Sequence, residues 1–213
     1  MNDALRATFY CDHDHPSIQE VAARLRTAGG DVPKIAARTF SFVRDEVPFG
    51  FDLVRRKASQ TLKRGHGVCW NKNLLLVALL RANGIPARFC SVPLRRTFIE
   101  PVVGALHRLA NDPFHHCLVQ ALVNDRWTIL DATLDRGTYE AFFRPRGVEW
   151  GVDWDGQGDV RLYTESVVGP PVVTSWGSST GGGETTLPWR RPCGSWTSSA
   201  VGCRSTGLRG RSV

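Results

Sequence analysis

Apolar residues recur at helical spacing in two segments near the start of the chain. After Pro16, an apolar stripe at positions i, i+3, i+4 and i+7 predicts a helix that ends at Gly29-Gly30. A second stripe predicts a helix over residues 33–46, which Pro48 stops. The two stripes consist of Ile18, Val21, Ala22 and Leu25, and of Ile35, Ala36, Thr39, Phe40 and Val43.

The longest helical signal lies further along, over residues 69–83 (CWNKNLLLVALLRAN), and Gly84 supplies its C-terminal stop. Residues 74–80 are apolar almost all round, which is typical of a helix buried inside a domain rather than lying on its surface. A short helix is predicted just before it, at residues 58–62.

The clearest strand pattern is HCLVQALVNDRWTILDAT. Residues 116–123 and 126–133 flank Asn124-Asp125, two residues that tolerate positive φ and suit a two-residue hairpin turn. Two shorter segments also have strand-like patterns, residues 6–11 and 86–92. Helices, a buried helix and then a hairpin indicate an α+β fold rather than alternating βαβ units.

The composition changes sharply near Gly169-Pro170-Pro171. Residues 170–213 contain 8 Ser, 8 Gly, 6 Thr and 4 Pro, so 26 of 44 residues favour loops. Such a segment buries too little apolar area to offset the entropy lost on ordering it. We therefore expect one domain over residues 1–169 and a disordered tail over residues 170–213. A docked strand, a partner-binding arm and a shifted reading frame are the alternatives for the tail.

The charge of the chain says little about a partner. The 27 Lys and Arg residues exceed the 20 Asp and Glu residues, for a net charge of +7, of which the tail contributes +4. With no nucleic-acid-binding motif, we expect no nucleic-acid partner. With no run of about 18 apolar residues, we expect no membrane partner. No secretory signal is visible at the start of the sequence, so we expect a cytoplasmic protein.

Among the six cysteines, Cys69 has an unusual setting. No two cysteines form a CxxC pair, so we expect no disulfide framework, no metal site and no cofactor. Cys69 follows Gly65-His66-Gly67-Val68 and opens the predicted buried helix. The partial positive charge of a helix N-terminus lowers the pKa of a thiol and favours thiolate. Cys69 is therefore a candidate nucleophile, and an ordinary cysteine at a helix start is the alternative.

The predicted hairpin brings a histidine and an aspartate together. With a two-residue turn at 124–125, Leu118 faces Asp131, and His116 lies on the same face as a diagonal neighbour of Asp131. A carboxylate in this position fixes the imidazole tautomer and stabilises imidazolium. The imidazole can then deprotonate Cys69 and later protonate a leaving group.

Residues 67–88 (GVCWNKNLLLVALLRANGIPAR) and 116–133 resemble the catalytic-cysteine segment and the His–Asp hairpin of the transglutaminase-like superfamily. A weaker resemblance at residues 36–50 extends the similar region to about 36–135. The resemblance implies the papain-like transglutaminase-core fold. In that fold, a helix carrying the cysteine packs on an antiparallel sheet that carries the histidine and the aspartate.

The same resemblance implies roles for individual residues. Cys69 takes the place of the nucleophile, His116 of the general base and acid, and Asp131 of the carboxylate that orients the imidazole. The backbone N–H of Cys69 is expected in the oxyanion hole. The hairpin departs from the family pattern at Cys117 and Leu118, where a small and an aromatic residue are usual, and a hairpin glycine is replaced by an aspartate.

Further candidates surround these residues. We expect Trp70, His66 and Leu118 to contact substrate, with core packing the alternative for Trp70 and plain solvent exposure for His66. Leu118 is expected at the rim of the acyl site. We interpret residues 12–15 (DHDH) as a polar loop leading to a helix cap rather than a metal site. The remaining expectations are that Lys72 and Asn73 flank the cleft or face solvent, and that His115 lies on the face opposite Asp131.

Together these patterns predict a cysteine enzyme that acts on an amide of a peptide or protein substrate through a thioester acyl-enzyme. Water as the acceptor would make it a peptidase or amidase, and an amine would make it a transglutaminase. The alternative is a catalytically silent binding or assembly module on the same fold. The substrate, the acceptor and the oligomeric state stay open at this point.

Overall fold

The computed structural model describes residues 3–148, 153–160 and 164–173 of the chain. The helices are α1 (Pro16–Thr27), α2 (Val32–Ser41), α3 (Ala58–Arg64), α4 (Cys69–Ala82), α5 (Glu100–Val103) and α6 (Arg136–Thr138). Short 3-10 and π-helical turns cover Asp3–Leu5, Phe42–Glu46, Arg96–Ile99, Gly104–Leu109, Tyr139–Phe143, Arg144–Arg146 and Thr164–Ser166. Across the described ranges, every helix is too short or too polar to cross a lipid bilayer.

Side-chain caps define where the first two helices begin. The Nδ1 atom of His15 accepts a hydrogen bond from the Ser17 backbone N–H (3.3 Å), which confirms that the polar loop before α1 ends in a helix cap. The Asp31 side chain accepts from the Lys34 backbone N–H (3.2 Å) and caps α2 in the same way. Because α2 continues into the π-helical turn Phe42–Glu46, the predicted helical run over residues 33–46 is confirmed.

The strands are β1 (Ala87–Leu94), β2 (Phe114–Val123), β3 (Arg126–Leu130) and β4 (Val172–Val173). They form an antiparallel sheet in the order β3-β2-β1-β4. Asn124 and Asp125 join β2 to β3 with φ angles of 51° and 59°, so the predicted two-residue turn is confirmed. Val119 pairs with Leu130, which is the register that this turn predicts.

The edge strand β4 lies just beyond the expected domain boundary. Its residues, Val172 and Val173, pair with Ser91 and Cys90 of β1. The prediction of disorder for the rest of the tail, residues 174–213, lies outside the described residues.

The predicted strand at residues 6–11 is wrong. The Thr8 backbone N–H donates to the Cys11 carbonyl (3.0 Å), and the Thr8 hydroxyl accepts from the Cys11 backbone N–H (3.1 Å). These two bonds close a local turn. A side chain that bonds nearby backbone in this way competes with strand pairing, and the short apolar alternation does not overcome it.

Helix α4 lies at the centre of the domain, in contact with α1, α2 and α3 and with strands β1 and β2. Its residues from Leu74 to Leu80 are all buried, as predicted. A first core cluster fills the space between the helices and the sheet, and includes Cys117, Val119 and Ala121 of β2. The opposite sheet face carries a second cluster that includes Leu118. The fold is α+β, with a buried helix packed on an antiparallel sheet.

Candidate active site

Cys69 is the first residue of α4, and the backbone leading to it is tightly constrained. A Cβ at Gly67 would lie 2.9 Å from the Cβ of Asn71, so only glycine fits there without a shift. The backbone of Gly67 also bonds to Pro48 and Gly50 (3.3 and 3.1 Å). The residue before Cys69, Val68, makes no side-chain cap bond, so no capping side chain occupies the amide groups of the first turn. The Cys69 side chain is partly exposed.

His116 and Asp131 meet as the hairpin register predicts. The Nε2 atom of His116 and the Oδ2 atom of Asp131 are 2.6 Å apart, and both side chains are almost completely buried. The imidazole also hydrogen-bonds Cys69. Since Nε2 faces Asp131, the other ring nitrogen, Nδ1, is the one available to the cysteine. The helix start and the hairpin therefore bring a thiol, an imidazole and a carboxylate into one chain of contacts.

A fourth side chain, Asn73, holds Asp131 in place. Its Nδ2 atom donates to the Asp131 Oδ1 (3.2 Å), the Thr133 Oγ1 (3.0 Å) and the Cys117 carbonyl (2.6 Å). Its Oδ1 atom accepts from the Ala132 backbone N–H (3.1 Å). Asn73 therefore does not face solvent, which was one of the two expectations for it, because its polar groups are all engaged inside the protein beside Asp131.

The same network explains why β3 is shorter than predicted. The sequence predicts a strand to residue 133, but β3 ends at Leu130. Beyond it, the backbone N–H groups of Ala132 and Thr133 bond to the side chains of Asn73 and Asp131 (3.1 and 2.9 Å) instead of to β2. This departure from the ladder lets the carboxylate contact both α4 and His116.

The surroundings favour a charged thiolate–imidazolium pair. Burial by itself would raise the pKa of the Cys69 thiol. The hydrogen bond from the Cys117 side chain, which is the largest effect, and the hydrogen bond and charge of His116 together hold that pKa well below its usual range. Burial lowers the pKa of His116. The charge and hydrogen bond of Asp131, together with those of Cys69, have a larger opposite effect and raise the imidazole pKa to about 10. Burial likewise opposes charge on Asp131, yet His116 and Thr133 hold its pKa below the usual range.

Cys117 is part of this arrangement although the sequence analysis gives it no role. Both its side chain and its backbone N–H hydrogen-bond Cys69. The bond to Cys69, together with burial, raises the pKa of the Cys117 thiol well above its usual range. Cys117 therefore stays protonated and donates to the Cys69 thiolate.

The remaining site candidates occupy different surroundings. The exposed His115 lies on the face away from Asp131, as predicted, with its Nδ1 atom 3.1 Å from the Ser91 hydroxyl. His66 packs against the backbone of Gly50 and accepts from the Arg64 guanidinium (3.2 Å). Trp70 packs against the first core cluster. Leu118 is fully buried in the second core cluster, so no part of its side chain is available to a substrate at the rim.

The expectation that Lys72 faces solvent is also wrong, because its side chain is completely buried. Its Nζ atom donates to the Arg44 carbonyl (3.0 Å) at the π-helical turn that follows α2. Burial lowers the pKa of Lys72 to about 7, and nearby Asp135, Asp131 and Asp45 offset only part of that effect.

We expect Lys72→Met to change how the free energy of unfolding depends on pH. Since the native pKa of Lys72, about 7, lies below the unfolded value of about 10.4, the unfolded chain binds more protons between these values. Lys72 therefore makes the wild type gain about 2 kcal/mol of stability from pH 7 to pH 9, and the variant lacks this gain. Urea unfolding at both pH values measures it.

The exposed Lys63 offers the matched control for this measurement. Lys63→Met removes a lysine from the surface and controls for the substitution of lysine by methionine itself. An equal offset for Lys72→Met at the two pH values would contradict the expected titration of Lys72.

The comparisons with known proteins agree with the fold. The model of the transglutaminase-like superfamily matches residues 19–132, and the chain belongs to that superfamily. The match begins before the region of about 36–135 that the sequence resemblance covers, and it therefore includes most of α1. No curated protein matches the chain significantly.

Two solved structures are similar over part of the chain. One is "a putative cysteine protease" from Cytophaga hutchinsonii, with 24% identity and a TM-score of 0.49 over 61% of this chain and 40% of that one. The other is "a putative protease" from Parabacteroides distasonis, with 17% identity and a TM-score of 0.41 over 60% of this chain and 25% of that one. The matched region is thus less than half of either protein.

Proposed function

We propose that the protein is a cysteine enzyme that cleaves or transfers an acyl group from an amide of a peptide or protein. The observation that carries the proposal is the chain of contacts from Cys69 through His116 to Asp131, in which the imidazole and the carboxylate are 2.6 Å apart. Membership of the transglutaminase-like superfamily supports the same reading. In this proposal Cys69 is the nucleophile, His116 the general base and acid, and Asp131 the group that orients the imidazole.

Acylation begins with attack of the Cys69 thiolate on the carbonyl carbon of the amide. Negative charge develops on the carbonyl oxygen, and the uncapped amide N–H groups at the start of α4, that of Cys69 among them, are placed to stabilise it. The protonated His116 gives its proton to the amine leaving group as the carbon–nitrogen bond breaks. The product is a thioester on Cys69 and a free amine.

Deacylation reverses these roles. The neutral imidazole takes a proton from the acceptor, which attacks the thioester, and the Cys69 thiolate leaves while His116 keeps the proton. Asp131 stays ionised throughout and stabilises the imidazolium, since its pKa lies below the usual range. Water as the acceptor gives hydrolysis, whereas a primary amine gives transamidation.

The loop over residues 49–57 is bonded to the start of α4 and supports a peptide as the substrate. Asn71, two residues after Cys69, donates to the carbonyls of Asp52 and Val54 (3.1 and 3.2 Å) and so fixes this loop to α4. The loop nevertheless leaves Phe51 and Val54 63% and 55% exposed. Exposed apolar side chains on a loop that is bonded to the start of α4 favour apolar residues next to the amide of a peptide substrate.

The proposal is tested by incubating the full chain with a glutamine-peptide library, with and without a primary amine, and following intact mass and ammonia release. We expect the wild type to form a thioester adduct, the peptide mass less ammonia, and to release ammonia, whereas Cys69→Ala does neither. Cys90→Ala removes a buried cysteine of the second core cluster and serves as the control that keeps activity. An identical result for wild type and Cys69→Ala would contradict the proposal. Absence of ammonia, of peptide-bond cleavage and of any acyl adduct, with a reactive Cys69, would favour the binding module.

A further inference from the structure

Cys69 packs against the first core cluster, to which Cys117 belongs, and a hydrogen bond between the two thiols lowers the pKa of Cys69 and raises that of Cys117. Cys117 follows His116 on β2 and points to the opposite side of the sheet, toward α4. Its carbonyl accepts from Asn73 of α4 (2.6 Å), which ties this point of the strand to the first turn of the helix. Contacts of both the side chain and the backbone of Cys117 therefore keep its thiol close to Cys69.

The two thiols differ in reactivity. Cys69 is partly exposed and is the one held as thiolate, whereas Cys117 is buried and stays protonated. Oxidants attack thiolates that solvent can reach. Cys11 and Cys90 are both buried, and burial raises the pKa of each to about 11, so neither competes for an oxidant or for Cys69.

We propose that Cys69 and Cys117 form a reversible disulfide when the protein meets hydrogen peroxide or an organic hydroperoxide, and that this bond protects Cys69 from irreversible oxidation. The proposal extends the proposed function, because the bond would also switch the nucleophile off. It does not depend on that function, since the disulfide is detected on the protein itself.

The chemistry balances in two steps. The Cys69 thiolate attacks one peroxide oxygen, the oxygen–oxygen bond breaks, and the departing hydroxide takes the proton of His116 to give water. Cys69 is then a sulfenic acid. The Cys117 sulfur attacks the Cys69 sulfur, the sulfur–oxygen bond breaks, and the departing hydroxide takes the Cys117 proton to give a second water. Each sulfur loses one electron, and the peroxide gains two.

Tryptic digestion without reductant identifies the bond in the full chain. Cleavage yields the peptide 65–72, whose cysteine is Cys69, and the peptide 109–126, whose cysteine is Cys117. After brief treatment with hydrogen peroxide, we expect these two peptides to be linked, and we expect dithiothreitol to release them and restore the alkylation of Cys69 by iodoacetamide. Cys90→Ala is the control variant that keeps the link.

Cys117→Ala is expected to lose this protection. Without the second thiol, the sulfenic acid of Cys69 proceeds to sulfinic and sulfonic acid, so the fraction of Cys69 that dithiothreitol cannot rescue should rise about tenfold over the wild type. Cys117→Ser tests the same point with a nearly isosteric side chain. Sulfinic acid on Cys69 of the wild type with no linked peptides would overturn the proposal, as would equal rescue of wild type and both variants. Neither result would bear on whether Cys69 forms an acyl-enzyme.

Discussion

Replacing His116 with glutamine is expected to lower the rate at which iodoacetamide alkylates Cys69 at pH 6 by about 10–100-fold. Only the thiolate reacts, and more of the wild-type thiol is ionised at this pH than of an ordinary thiol, because Cys117 and His116 hold its pKa well below the usual range. Glutamine removes the positive charge of His116 but leaves the hydrogen bond from Cys117. The pKa of Cys69 should therefore rise toward, but not reach, that of an ordinary thiol.

The full pH profile distinguishes a charged pair from an isolated thiol. In the wild type, the alkylation rate should stay high as the pH falls below the ordinary thiol pKa of about 8.5, and should drop only through the lowered pKa of Cys69. In His116→Gln, the drop should begin at higher pH. The rate is measured by mass spectrometry on the peptide 65–72.

The neighbouring His115 offers a matched control, because it is exposed and its Nδ1 atom contacts the Ser91 hydroxyl rather than Asp131. His115→Gln should leave the alkylation profile of Cys69 unchanged. Two results would contradict the thiolate–imidazolium pair: a wild-type profile like that of an ordinary thiol, or equal profiles for the two histidine variants. Either result would also contradict the mechanism proposed for acylation, which begins from this pair.

Asn73→Ala is expected to lower the free energy of unfolding by about 3–5 kcal/mol, since it strips the partners from several buried polar groups. The Asp131 carboxylate loses a donor, the Cys117 carbonyl loses its short bond to α4, and the Ala132 N–H loses its acceptor. Each unpaired buried group costs about 1–3 kcal/mol. Urea unfolding at constant pH measures the loss.

Asn83, at the C-terminal end of the same helix, provides the comparison. Its Nδ2 atom bonds to the Leu79 carbonyl (3.2 Å), and its side chain is only partly buried, so Asn83→Ala should cost no more than about 1 kcal/mol. If the two alanine variants lose similar stability, the network around Asn73 does not contribute as the contacts indicate.

Asn73 is also a positioning residue in the proposed mechanism, and a purely structural role would not change the chemistry of Cys69. We expect the folded Asn73→Ala protein to show the alkylation profile of Cys69 shifted to higher pH, because Asp131 no longer holds His116 as firmly. An unchanged profile at conditions where the variant is folded would restrict Asn73 to a structural role.

Local patterns determined the helices and the hairpin. The turn at Asn124-Asp125 requires two residues that accept positive φ, and that choice sets the register in which Val119 meets Leu130. Because side chains alternate along strands, the register in turn places His116 beside Asp131. A helix that begins at Cys69 follows from its composition and from Gly84 at its end. These features depend on neighbours close in sequence.

Asn73 and Lys72 show what the sequence did not reveal. Both lie near the start of a helix whose residues 74–80 are apolar, and polar residues there suggest an exposed end. Asn73 is four residues after Cys69 and therefore on the same helix face, which is the signal that could have placed it beside the site. Its partners, however, come from β2 and from the residues after β3, far away in the chain.

Only the tertiary structure decided which polar groups are buried together. The end of β3 at Leu130, the contact between Cys69 and Cys117 and the burial of Leu118 all depend on how α4 meets the sheet. Sequence spacing sets which face of an element a residue occupies, whereas the packing of distant elements sets what that face meets. The thiol, the imidazole and the carboxylate were therefore predictable from the sequence, and the groups that contact and hold them were not.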